Sequence, residues 1–211
     1  MVARYKKHPG FILGFHGCDR KIGEAVLNGS ADLIASENDY DWLGTGIYFW
    51  EGNPLRAYQF AIEAMERRFI TKGQIDEPFV VGAVIDLGVC CNLQDQSTIE
   101  ELVIAHELLK DSNVSDGFEM PKNEKGADKF LRHLDCAVVN YLHVIRELSK
   151  LPAYDSVRAA FHEGGELYEG SSFTKLAHIQ IAVRNEQQIL GYFRPRYDFP
   201  SVETIKKSLS A

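Results

Sequence analysis

The stretch Leu43-Gly44-Thr45-Gly46-Ile47-Tyr48-Phe49-Trp50 decides how this chain is read. It is short, apolar and aromatic, and two glycines lead into it. That pattern predicts a tight backbone entering a buried strand with a tyrosine at its centre. About 30 residues earlier, Phe11-Ile12-Leu13-Gly14-Phe15 forms a second apolar run that ends on His16-Gly17. A histidine at one strand end and a tyrosine on another, each beside glycine, are suited to line a slot for a flat, polar ligand.

Working outward, the chain has 211 residues, 45% of them hydrophobic, enough to bury a full core as one domain spanning 1–211. The net charge of −7 argues against a generally basic nucleic-acid binder. No apolar run approaches the ~18 residues of a membrane span. Met1 to Gly10 is polar and basic and lacks the apolar centre of a secretory signal, so a cytoplasmic location is expected. Cys18, Cys90, Cys91 and Cys136 form no C-x-x-C pair, which predicts free thiols and neither a zinc site nor a disulfide framework. His133, Asp135 and His143 share a helical segment without a metal-ligand spacing, so no metal is expected.

Residues 10–17 read as a strand, and Arg20 to Asn28 as a short helix stopped by Asn28-Gly29. Gly46 to Trp50 is the next strand. Asn53-Pro54 then opens a helix to about Phe69, with Asn as cap and Pro in the first turn. The apolar run 79–87 predicts a central strand. Residues 97–110 read as helix, 111–128 as an exposed loop and 129–148 as a long helix. Val157 to Phe161, Ala177 to Val183 and Gln188 to Phe193 read as strands, with a glycine-rich loop from His162 to Ser172. Strands at both ends of the chain around a helical middle predict an α+β domain.

Gly44-Thr45-Gly46-Ile47-Tyr48-Phe49, following Phe15-His16-Gly17, resembles the first two motifs of the ADP-ribosyltransferases. In the poly(ADP-ribose) polymerase/diphtheria toxin-like branch the second motif reads Gly-Lys-Gly-Ile-Tyr-Phe, so five of the six positions agree here. The resemblance implies two packed, mostly antiparallel sheets with flanking helices, and NAD as the substrate. It gives His16 the adenosine ribose and Gly17 the nicotinamide amide. Tyr48 and Tyr58 would enclose the nicotinamide ring, with Gly46 and Phe49 completing the cofactor contacts. The chemistry would be cleavage of NAD to nicotinamide, with transfer of a single ADP-ribose to a macromolecular acceptor, protein or nucleic acid. A toxin or defence role, with an antitoxin partner, follows by analogy only.

The third motif departs from the family. Its glutamate position falls on Gln180 of Gln180-Ile181-Ala182-Val183-Arg184, with Gln188 as the later glutamine. Glutamine hydrogen-bonds a ribose hydroxyl but carries no charge. Glu163, Glu166 and Glu169, in the loop before this strand, and Glu51 are the substitute carboxylates, with Glu163 set beside His16, Tyr48 and Gln180 as catalytic. The alternative is a module of the same fold that binds NAD or ADP-ribose and does no chemistry. An RNA 2′-phosphotransferase-like activity requires a histidine in the second motif, where this chain has Tyr48. In an unrelated α+β protein the aromatics would be core alone. Clusters of Lys and Arg, including Arg4, Lys6, Lys7, Arg67, Arg68, Lys72, Lys122, Lys125, Lys129 and Arg132, are solvated surface or guides for an acceptor's phosphates.

Overall fold

A computed structural model gives the fold; it describes residues 10–67, 71, 73–124 and 131–209. Among the expected basic clusters, Arg4, Lys6, Lys7, Arg68, Lys72, Lys125 and Lys129 lie outside these residues. The protein is mixed α and β. The strands are β1 (Ile12–Asp19), β2 (Ile47–Glu51), β3 (Pro78–Ile85), β4 (Cys90–Asn92), β5 (Asn123–Glu124), β6 (Leu131–Arg132), β7 (Ser156–Phe161), β8 (His178–Val183) and β9 (Ile189–Phe193). The helices are α1 (Arg20–Leu27), α2 (Pro54–Glu66), α3 (Gln96–Asp116), α4 (His133–Leu148) and α5 (Val202–Leu209). Seven strands form one sheet in the order β4-β7-β8-β2-β1-β3-β9, and β5-β6 is a separate ribbon. Strands β1–β2, β1–β3, β3–β9 and β7–β8 pair antiparallel, and β4–β7 pairs in parallel. Where two packed, mostly antiparallel sheets were expected, the described residues form a seven-stranded sheet and a two-stranded one. No helix among the described residues is long and apolar enough to cross a membrane.

The chain divides into two compact units. One comprises, among the described residues, Gly10–Leu33, Phe49–Asp86 and 189–209. Its spine is the antiparallel pair β1–β3, in register from Ile12 opposite Ile85 to Asp19 opposite Pro78. Asp19 caps α1, accepting from Lys21 N–H at 2.9 Å, and its second oxygen accepts from Asp76 and Glu77 N–H at 2.9 and 3.1 Å. Helix α2 starts as its sequence dictates, with Asn53 accepting from Arg56 N–H at 2.9 Å and Pro54 in the first turn. Phe15, Trp50, Ala57 and Val80 form a buried cluster, with Tyr58, Phe60, Phe193 and Phe199 packed on it.

The other unit comprises, among the described residues, Ile34–Tyr48 and Leu87–Gln188. Strands β7 and β8 pair from Ser156 opposite Val183 to Phe161 opposite His178. One face of this pair carries Val157, Ala159, Phe161 and Ala182 into a core shared with Leu43, Cys91, Val138, Val139 and Leu142. Helices α3 and α4 are tied by Arg146, which donates to Glu101 at 2.6 Å while the Tyr154 hydroxyl donates to the same carboxylate oxygen at 2.7 Å.

Strand β3 ends at Ile85 rather than 87 and α2 at Glu66 rather than about 69, and three further boundaries differ from expectation. Helix α3 runs to Asp116 and stops at Gly117 in the left-handed conformation, so 111–116 are helical. A helix end surrounded by water needs no apolar stripe, and its polar sequence reads as loop. Helix α4 begins at His133, and Leu131–Arg132 instead pair with Asn123–Glu124. Strand β1 continues two residues past Gly17 to Asp19.

Candidate functional site

In the unit built on β1 and β3, His16 sits opposite Val81, and its half-buried ring meets Phe49 edge-on at 5.8 Å. Phe49 is fully buried, so it acts as the surface against which the imidazole is held. A Cβ at Gly17 would come within 2.2 Å of the Ala57 carbonyl oxygen. The glycine thus lets α2 lie directly on the β1 backbone, a packing demand that the sequence alone does not disclose. Tyr58, on α2, is half-buried and packs against Phe199 with ring centroids 4.6 Å apart. Burial pushes its phenol pKa up, with Arg20 opposing and Glu77 adding to the shift.

In the other unit, the turn entering β2 is held from several directions. Gly44 has φ +73°, and a Cβ there would strike the Asn140 side-chain oxygen at 2.5 Å. That same oxygen accepts from Thr45 N–H at 3.0 Å. Gly46 exchanges both of its backbone hydrogen bonds with Ser36, at 2.8 and 3.1 Å, and a Cβ would meet the Val183 carbonyl oxygen at 2.9 Å. Its backbone groups are therefore already used within the fold. The Tyr48 hydroxyl donates to Gly44 C=O at 2.7 Å and accepts from Leu43 N–H at 2.9 Å. This closes residues 43–48 into a ring-like loop and fixes the phenol, whose pKa burial raises well above its ordinary value.

Gln180 lies in the middle of β8, opposite Ala159, and is only 8% exposed. The two-residue period of a strand puts His178, Gln180 and Ala182 on one face. His178 is the residue that sequence reasoning missed. Its Nδ1 donates to Leu176 C=O at 2.6 Å and lies 3.9 Å from Glu163 Oε2, with both side chains buried. Phe161 stacks on the His178 ring at 5.7 Å, Trp42 packs on Phe161, and the Arg132 guanidinium lies over Trp42 at 4.2 Å. The three glutamates of the preceding loop consequently part company. Glu163 is buried beside an imidazole, whereas Glu166 and Glu169 are exposed, Glu166 accepting from Gly170 N–H. Glu51 ends β2 half-buried. The signal for His178 was its spacing of two from Gln180, which carries weight only once the strand is known.

The chain is 31% identical over 193 residues to the "Uncharacterized protein MJ0359" of Methanocaldococcus jannaschii, an alignment covering 83% of each chain. It belongs to the same protein family as that archaeal chain. No family model matches it, and no solved structure matches it significantly.

Proposed function

We propose that the chain is an NAD-dependent mono-ADP-ribosyltransferase of the ADP-ribosyltransferase fold. The observation that carries this reading is the loop 43–48. It holds the tyrosine of a Gly-x-Gly-Ile-Tyr-Phe motif by its hydroxyl to its own backbone, with the half-buried ring packed beside the apolar cluster of its unit. An aromatic face fixed in this way stacks on nicotinamide without losing further side-chain entropy on binding.

In the reaction proposed, the bond from nicotinamide to ribose breaks through an oxocarbenium-like state. A nucleophile on the acceptor then attacks the anomeric carbon. On the family resemblance, His16 is assigned the adenosine ribose, Gly17 the carboxamide, and Tyr48 and Tyr58 the nicotinamide. Gln180 holds the nicotinamide ribose by its amide and takes up no proton. The acceptor's proton passes to another base, and Glu163, buried beside His178 on the β7–β8 hairpin, is the carboxylate assigned to it.

The test is nicotinamide release from NAD by the purified chain, alone and with cell lysate. Wild type should release nicotinamide, faster with lysate if the acceptor is macromolecular. Tyr48→Ala should lose activity beyond the roughly 1 kcal/mol of ring stacking, because positioning is lost with it. Gln180 specifically favours a second reading, a module that binds NAD without cleaving it, which would show saturable NAD binding and no nicotinamide. Neither release nor binding would sink both.

A further inference from the structure

The unit containing β7 and β8 holds a half-open surface pocket of about 430 Å³, called the cavity below. Its wall is His143 and Glu147 of α4, Lys150, Leu151 and Ala153 of the following segment, and Arg184 just past β8. That volume lies within the roughly 300–1,000 Å³ typical of small-molecule sites. None of these residues belongs to the set assigned to NAD, so the cavity stands apart from the function proposed above.

Three features of the wall point to an anion. Arg184 is half-buried and donates one long hydrogen bond, 3.4 Å, to Thr45 C=O, with no carboxylate in ion-pairing distance among the described residues. Burial holds its pKa below the ordinary arginine value, as expected for a cation that has lost water without gaining a counter-ion. His143 presents a buried Nε2 that has no hydrogen-bond partner among the described residues. Burial, followed by the charges of Arg184 and Arg146, pushes its pKa down to about 3, so the ring is neutral beside two guanidiniums. Of those two, Arg146 is matched by Glu101.

The third feature is Lys150, the one non-glycine residue with positive φ (54°) among the described residues. It occupies the helix-stop position where glycine is usual, with Lys150 N–H bonded to Glu147 C=O and Leu151 N–H to Arg146 C=O. Backbone strain of this kind collects at ligand sites. Glu147 is the single acid in the wall; set against Lys150, it leaves Arg184 as the uncompensated charge.

We propose that this cavity binds the phosphate group of a small phosphorylated molecule, with Arg184 and Lys150 donating to its oxygens and His143 Nε2 as the third contact. Three nitrogen groups from separate points of one wall suit the several oxygens of a phosphate, whereas a planar carboxylate is satisfied by the guanidinium alone.

The experiment follows the His143 ring resonances of the full chain by NMR during titration with inorganic phosphate at constant ionic strength. A saturable shift is expected. Arg184→Gln should weaken binding about tenfold or more, the worth of one charge-assisted hydrogen bond. Lys150→Gly should weaken binding while keeping the fold, checked by an unchanged amide spectrum. No saturable shift in the wild type, equal affinity in Arg184→Gln, or equal binding of acetate would each overturn the proposal.

Discussion

Tyr48 has a hydroxyl committed to structure, closing the 43–48 loop, and a ring for which a ligand is proposed. Tyr48→Phe keeps the ring and leaves Leu43 N–H and Gly44 C=O without their partner. It should cost about 1–3 kcal/mol in a urea melt while altering NAD affinity little. Lys150 runs the other way. Replacement by glycine relieves a left-handed lysine and should stabilise the fold by up to about 1 kcal/mol in the same assay. At this scale the sequence was legible wherever a residue's chemistry announces itself locally, as Tyr48, Gly44 and Asn53 do. It was silent on Asn140 and His178, because their importance comes from partners about 95 and 15 residues distant.

Helices and strands were legible in proportion to how much of their signal is local. Asn53-Pro54 marked the start of α2, and the apolar run of β3 marked a central strand. The last six residues of α3 and the three-residue β4 were not legible, since one lies in water and the other is defined by its neighbour β7. Two junctions carry predictions. Asp19 joins β1, α1 and the approach to β3. Burial would raise its pKa, but N–H donation from Glu77, Asp76 and Lys21, with the charge of Lys21, outweighs it and leaves the pKa below its ordinary value. The native carboxylate therefore holds its proton less tightly than the unfolded one. Its stabilisation is full above the unfolded pKa and is lost as pH falls through the native one. Asp19→Ala should reduce stability at pH 7 by about 1–2 kcal/mol and flatten the acid limb of a stability-versus-pH curve. Between α3 and α4, Glu101→Ala strands the buried Arg146 and removes the Tyr154 acceptor; about 3 kcal/mol should be lost on chemical denaturation.

At the scale of the molecule, the mix of helix and strand could be read from the periodicities, but the strand order could not. Pairing β4 in parallel with β7, or setting β1 beside β3, depends on contacts that no window of sequence contains. The candidate site divides in the same way. The residues of its first two motifs and Glu163 are legible, while the burial that sets Glu163 apart from exposed Glu166 and Glu169 is visible only in the fold.

The cysteines give the molecule a chemical clock. Cys18, Cys91 and Cys136 are buried, and burial pushes their pKa values up to about 12, 12 and 11. In the native state these thiols are both sealed and protonated, so a thiol reagent should find them unreactive. Cys18 belongs to one unit, and Cys91 and Cys136 to the other. The rate at which each is labelled in mild denaturant therefore times the opening of its own unit. Equal rates would mean that the chain opens as one body, and a faster Cys18 that the β1–β3 unit lets go first.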